Sequence, residues 1–287
     1  MSTSQPEQSY AESRAIGDTV VTVINEASGR YRPELVDGSG QEINPDGAED
    51  VEIPIAFNVV HIRTPAGRLL VDAGFDDPDS RWGRAFAEEW SGLTRTPGLA
   101  PALAVLGENS LEPGLIALTH VHFDHMAGLT VDRAGGFAPR FPSTLVYVGR
   151  GDWENPQEED DAAADIHERL AVIEASGHLR LVDGERELLP GVSMIVTGGE
   201  SPGHTVIRLR SKSETFFAVG DLFHFDFEVE HPDWMPPWAD RTRMIQSRRR
   251  ILEEAAESSA TVVFSHHPFP PWGRIVKSHG GYAWRKS

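Results

Sequence analysis

Cysteine is missing from all 287 residues, which excludes disulfides and thiolate chemistry and leaves imidazole and carboxylate as the metal-binding side chains. Long apolar runs are missing too. The longest, such as Ala102–Leu106 and Leu115–Leu118, fall far short of the roughly 20 residues that span a bilayer, so no membrane partner is expected. Basic residues are scarce. The 26 Lys and Arg against 44 Asp and Glu leave a formal charge of −18, a field that repels phosphate backbones and argues against nucleic acid as a partner. The opening stretch, MSTSQPEQSYAESRAIGD, has neither a basic leader nor an apolar centre. It reads as a polar tail over residues 1–17 rather than a signal peptide, and a cytoplasmic address is expected. No repeat period and no low-complexity linker divides the rest, so residues 18–287 are expected to form a single domain. A convincing Gly-x-Ser-x-Gly elbow is also lacking, so a nucleophilic serine is not expected.

What is present alternates between strand and helix signals. Thr19–Ile24 and Ala56–Ile62 are β-branched and apolar, and the second leads through the turn Pro65-Ala66-Gly67 into Leu69–Val71. Asp37–Asp50, rich in Gly, Asp and Asn, reads as an exposed loop. From Arg81 to Leu106 the pattern predicts one or two helices interrupted near Pro97-Gly98. This stretch could serve as a lid, a contact for a homodimer or a core layer. Further strands are expected at Leu115–Thr119, Leu145–Val148, Leu179–Val182, Val192–Val196, Thr205–Leu209, Thr215–Val219 and Thr261–Phe264, with a last segment around Arg274–Val276. Helices are expected at Ala162–Ala175 and Arg241–Glu257. Two groups of strands, each followed by helix, imply an α/β protein with two β-sheets and helices packed outside.

The strongest chemical signal is THVHFDHMAG at 119–128, which places His120, His122, Asp124 and His125 within six residues after an apolar strand. On extended chain, residues two apart point the same way, so His120 and His122 can converge on one ion. A turn into helix at Asp124 would send Asp124 and His125 elsewhere, towards a second ion. Imidazole and carboxylate suit zinc and its neighbours.

This string resembles the HxHxDH signature of the metallo-β-lactamase superfamily, and four other stretches match that family's parts in order. Leu69-Leu70-Val71-Asp72-Ala73-Gly74 is similar to its early strand ending in Asp-x-Gly. Ser201-Pro202-Gly203-His204-Thr205 resembles its Pro-Gly-His-Thr loop, and Val219-Gly220-Asp221 its strand ending in Gly-Asp. Ser265-His266-His267 falls where the family carries its last histidine. The resemblance covers about residues 55–276. It implies a four-layer αββα fold, two mixed β-sheets with helices outside. It also implies that His120, His122 and His204 bind one metal and that Asp124, His125 and His266 bind another, with Asp221 bridging. His266 is favoured over His267, which remains an alternative, and Asp72 would orient the ligand loops through hydrogen bonds. Two divalent ions are expected, zinc first, with manganese, iron and cobalt also suited.

A dinuclear centre of this kind lowers the pKa of a bridging water, so that hydroxide can attack a carbonyl or phosphoryl centre near neutral pH. Asp124 and Asp221 would take part in catalysis. The segment GDLFHFDFEVEHPDW, the Arg-rich helix and HHPFPPWGRI together resemble the superfamily's lactonase and methyl-parathion-hydrolase-like branch. Lactone hydrolases there often carry a substrate-contacting tyrosine three residues after the bridging aspartate. Here that position is His224, a candidate hydrogen-bond donor or proton shuttle. Phe223, Phe225, Phe227, Trp234, Met235, Trp238, Phe269 and Trp272 offer a pocket for an apolar group or ordinary core packing. The substrate implied is a small lactone or related carboxylic ester. An organophosphate or aryl ester is the alternative, and a non-catalytic metal-stabilised binding protein a third reading.

Overall fold

The computed structural model describes residues 10–43, 52–75, 77–80, 83–84, 92–96, 98–107, 113–155 and 161–287. Strands Ala11–Ile16 (β1), Thr19–Tyr31 (β2), Ile53–Thr64 (β3), Gly67–Val71 (β4), Leu115–Ala117 (β5), Leu145–Gly149 (β6) and Leu179–Val182 (β7) form one sheet in that spatial order. The two-residue strand Thr94–Arg95 pairs with β2 as an eighth member. Strands Glu185–Leu189 (β8), Val192–Val196 (β9), Thr205–Ser211 (β10), Glu214–Ala218 (β11), Thr261–Val263 (β12), Gly273–Ser278 (β13) and Gly281–Lys286 (β14) form the second sheet, again in chain order.

Alternation along the strands builds the layers, because successive side chains point to opposite faces. Val21, Val23, Val60, Ile62, Leu69, Val71, Ala117 and Tyr147 of the first sheet pack against Met194, Ile207, Leu209, Phe216, Ala218 and Val263 of the second. Their neighbours Ile24, Val59, Leu70, Ile116, Val146 and Val148 face the other way, towards helices Leu99–Val105 (α1) and Asp161–Ala175 (α4). On the far side of the second sheet, Ile195, Val206, Phe217 and Val262 meet helix Arg241–Glu257 (α6), and the short helices Arg150–Glu154 (α3) and Phe227–Glu230 (α5) precede α4 and α6 in the chain. Two-faced burial explains why these strands read as runs of Val, Ile and Leu rather than as half-polar ribbons. The result is the four-layer αββα fold that the motifs imply.

Helix α6 shows how local sequence sets an element. Asp240 caps its start by accepting the Arg243 N–H at 3.1 Å. Met244, Arg248, Ile251, Leu252 and Ala255 recur at helical spacing and are all buried. Arg248 is buried because its charge is met. It donates to Leu222 O at 2.6 Å and to the buried Glu228 carboxylate at 2.8 Å, and it lies over the Phe223 ring.

Three expectations need correction. The polar tail expected over 1–17 does not hold for Ala11–Ile16, which pairs with β2 residue by residue and buries Ile16 at its end. The loop expected over Asp37–Asp50 is partly a ribbon, since Leu35–Val36 pairs with Glu42–Ile43; residues 44–50 lie outside the described residues. Of the helical stretch expected over Arg81–Leu106, α1 begins after Pro97-Gly98 and Thr94–Arg95 is strand. Most of residues 81–91 lies outside the described residues.

Candidate metal centre

Strands β4 and β5 run parallel, as do β11 and β12, so within each pair the carboxyl ends lie side by side. Asp72 follows β4, His120 and His122 follow β5, Asp221 follows β11 and His266 follows β12. Ligand sites in α/β sheets gather at such ends, where the chain leaves the ladder and side chains become free to converge. The turn after β5 continues into the short helix Phe123–Met126 (α2), which redirects Asp124 and His125 away from His120 and His122.

Two groups of ligand atoms result. In one, His120, His122, Glu200 and Asp221 each bring a ligand atom within 4.8 Å of the others; in the second, Asp124, His125 and His266 do the same. Asp221 touches both. Its Oδ2 lies 3.1 Å from His266 Nε2 and 3.7 Å from His120 Nε2, and its Oδ1 lies 3.5 Å from His125 Nε2. Asp124 Oδ2 is 3.4 Å from the Nε2 atoms of both His125 and His266.

Hydrogen bonds behind the rings fix which nitrogen faces inward. His125 Nδ1 donates to Asp72 Oδ2 at 3.0 Å, and His266 Nδ1 donates to Ala56 O at 3.1 Å, leaving both Nε2 lone pairs free. Thr119 gives its hydroxyl proton to Asp72 at 2.9 Å and so accepts from His120 Nδ1 at 3.1 Å, with the same consequence for His120. Asp72 sits at φ 63°, which turns its carboxylate back across the strand ends, where it also accepts the Thr119 backbone N–H at 2.7 Å. One carboxylate thus braces two ligands.

The electrostatics suit cations. Burial, with His125 and His122 nearby, holds His120 well below the usual imidazole range, keeping it neutral with a lone pair to offer. Burial disfavours charge on His125, yet Asp124, Asp221 and Asp72 outweigh it and hold its pKa well above the usual range. The field at that nitrogen favours positive charge, which a proton or a metal ion satisfies alike. Asp124, partly buried, is drawn down to about 2 against its desolvation, chiefly by His125. The fit to a metal is further marked by three buried atoms without a hydrogen-bond partner: His125 Nε2, Asp221 Oδ1 and Glu200 Oε2. All three belong to the ligand groups, and a cation is what such atoms need.

The profile of the metallo-beta-lactamase superfamily matches residues 56–267, a span that contains every ligand-bearing strand end described above. The chain belongs to this superfamily. Among curated relatives of this superfamily member, the N-acyl homoserine lactonase AttM of Rhizobium johnstonii is 24% identical across 84% of this chain and 92% of its own. An N-acyl homoserine lactonase of Bacillus cereus is 23% identical across 71% and 78%. By fold, the superfamily member matches the dizinc quorum-quenching lactonase AidC with a TM-score of 0.78 at 19% identity, covering 96% of this chain and 97% of that one. It matches the hydrolase AbOPH with a TM-score of 0.77 at 19% identity, covering 98% of each chain.

Of the site residues expected from sequence, His120, His122, Asp124, His125, Asp221 and His266 come together. His267 does not. Its Nδ1 bonds to Pro268 O and its ring packs against Phe264 and Trp284, turned from the centre. His204 is the exception among the expected ligands. It is fully buried beside the centre, but its Nδ1 bonds to Thr197 Oγ1 at 2.8 Å and its Nε2 accepts the Asp221 backbone N–H at 3.2 Å. Both nitrogens are therefore engaged, and burial pushes its pKa down to about 3, in keeping with a neutral acceptor. Gly220 is required beneath it: a Cβ there, at φ 56°, would fall 2.9 Å from His204 Nε2 and 2.8 Å from Thr119 Cβ.

His224 lies at the centre's edge, with Nε2 3.2 Å from Asp221 Oδ2 and its ring stacked on His266 at 5.7 Å. Burial opposes its charge, but Asp221 and Glu228 raise its pKa to about 10. Three of the residues expected to line a pocket prove to be core. Phe223 and Met235 belong to the core beneath α6, and Trp272 is sealed between the sheets. Trp238 stands out, with 46% of its surface exposed and its ring edge-on to His122 at 6.3 Å. Tyr31, stacked on Phe225 at 6.5 Å, was not anticipated. Burial and then Glu34, Asp124 and Asp221 raise its phenol pKa, which places it in the field of the centre. Glu200 was missed as well, because Gly198-Gly199-Glu200 matches no ligand motif.

Proposed function

We propose that this metal-dependent hydrolase holds two divalent cations, zinc first among them, and uses them to open a lactone ring or cleave a related carboxylic ester bearing an apolar group. The observation that carries the reading is the placement of Asp221 between the two ligand groups, within 3.1–3.7 Å of imidazole nitrogens from both. Bound cations would supply a water of lowered pKa and a Lewis acid for the carbonyl oxygen.

The chain's own residues do the rest. Asp221 faces both groups and fixes their separation. Asp124, with its side chain 21% exposed, is the carboxylate nearest the solvent side and is placed to orient a nucleophilic water. His224, at the edge of the centre beside Asp221, would hydrogen-bond the substrate oxygen and return a proton to the leaving alkoxide. Trp238 at the rim would cover an acyl chain, and Tyr31, in the field of Asp124 and Asp221, would line the site as well. The sequence relatives named for N-acyl homoserine lactones favour that substrate class.

The test is a turnover panel on one metal-loaded preparation: N-acyl homoserine lactones of rising chain length, simple γ- and δ-lactones, p-nitrophenyl esters and aryl phosphotriesters. The reading expects kcat/KM highest for acylated lactones, by at least about 10-fold over the phosphotriesters. Phosphotriesters turning over while lactones stay inert would transfer the site to organophosphate hydrolysis. A protein that keeps its metal and hydrolyses none of them would make it a binding protein.

A further inference from the structure

We infer that Glu200, rather than His204, completes the first cation site, so that this ion is held by two imidazoles and two carboxylates: His120, His122, Glu200 and Asp221. The inference rests on the dinuclear reading above and changes its donor set. Glu200 is fully buried, and its Oε2 has no hydrogen-bond partner. Oε2 lies 3.8 Å from His120 Nε2, and Oε1 lies 3.4 Å from His122 Nδ1. Among the described residues no Lys or Arg pairs with it; the donor it receives is the Trp238 indole N–H, at 3.1 Å to Oε1. A buried carboxylate with a free oxygen and no fixed cation needs positive charge from elsewhere. The two neighbouring imidazoles face it with nitrogens 2.8 Å from each other, an arrangement of lone pairs that a shared ion would satisfy.

The loop that presents Glu200 is braced on every side. Gly199 O accepts from Asp240 N at 2.8 Å, and Gly199 at φ 104° lies so close to α6 that a Cβ would meet Met244 Cα at 2.6 Å. Asp152, buried in the helix after β6, accepts from Ser201 Oγ at 3.0 Å and from the Gly203 N–H. Thr197 and Gly198 both donate to His204 O, at 2.8 and 2.9 Å. His204 is part of this bracing: its ring receives the Asp221 N–H and so positions the shared carboxylate instead of donating to an ion. Two imidazoles and one carboxylate form a known donor set for catalytic zinc. Exchanging an imidazole for a carboxylate also hardens the site, so Mn2+ should compete with Zn2+ better here than at a three-histidine site.

The test is titration of chelator-stripped protein with Co2+, following heat and the visible spectrum, with folding checked by circular dichroism. Wild-type protein should take up two ions. Glu200→Gln should keep the ion of Asp124, His125 and His266 and bind the other more than about 10-fold more weakly. His204→Ala should still take up two ions, and Glu200→His should take up two with an altered spectrum, since a nitrogen replaces an oxygen donor. Should Glu200→Gln fail to fold, the last two variants decide the matter. Two ions at wild-type affinity in Glu200→Gln, an unchanged spectrum in Glu200→His, or loss of the first ion in His204→Ala would overturn the assignment. A wild type that takes up fewer than two ions would instead overturn the dinuclear reading on which it rests.

Discussion

The two ligand groups differ in how firmly their nitrogens are held. His125 and His266 are locked from behind by Asp72 and by Ala56 O, both buried among strand ends. His122 meets Glu200, a carboxylate carried on the 198–204 loop and tied to the half-exposed Trp238. One group is built into the sheets; the other hangs partly on the 198–204 loop and the rim. Sites on strands hold ligand geometry more precisely than sites on loops, even a braced loop such as 198–204. On the dinuclear reading, tighter retention is expected of the inner group, Asp124, His125 and His266, and substrate contact on the side of the outer group, near Trp238.

Substitutions can break that contrast. The largest effect is expected for Asp221→Asn, because Asp221 serves both groups. Metal content should fall at both sites and kcat by more than about 100-fold, the upper end for groups that only orient ligands. Metal analysis and steady-state kinetics on one preparation check this, and retention of both ions would remove Asp221 from between them. Next comes Asp72→Ala, which removes the brace on His125 and Thr119. Affinity at the group of Asp124, His125 and His266, which Asp72 braces directly, should drop by roughly 10- to 100-fold, and at the other group, which it reaches only through Thr119 and His120, by less, both read by competition with a chelator. An equal loss at both groups would erase the distinction drawn here. Trp238→Phe is a smaller change. It keeps a ring at the rim but removes the donor to Glu200, so we expect KM for a long-chain lactone to rise about threefold with the inner ion untouched.

The smallest effect separates acid sensitivity of the centre from that of the fold. His61 on β3 is buried, and burial with Arg63 and Arg68 lowers its pKa to about 4 from an ordinary 6.5. The unfolded chain binds a proton there between those values and the native protein does not, so its contribution to stability is full above pH 6.5 and is lost as pH falls towards 4. Chemical denaturation of chelator-treated wild type and His61→Leu across this range should differ by that slope, a difference that removes the opposing contributions of the buried Glu26 and Asp152, both raised to about 7. A slope that vanishes on chelation alone would place its origin at the metal centre.

The sequence carried the ligands that sit at strand ends, because a β-branched run followed by His, Asp or Gly-Asp marks the place where a strand stops and a side chain is released. The THVHFDHMAG string, Asp72, Asp221 and His266 were legible for that reason. Glu200 was not. Its role depends on a loop whose path is set by distant partners, Asp152 and α6, and the Pro-Gly-His-Thr string beside it drew the ligand role to His204. The aromatics between 223 and 238 were ambiguous for a similar reason. Whether Phe223 or Trp238 faces core or solvent depends on the position of α6 and the second sheet, which spacing alone does not encode. The strand β1 went unread because its residues, AESRAI, cover only part of an edge and show no clear alternation of polarity.

Native mass spectrometry of chelator-stripped protein after addition of Zn2+ tests the central claim most directly. The folded chain should gain the mass of two ions, the inner one surviving competition by a weak chelator longer than the outer. A chain that gains one ion or none while remaining folded would contradict the account.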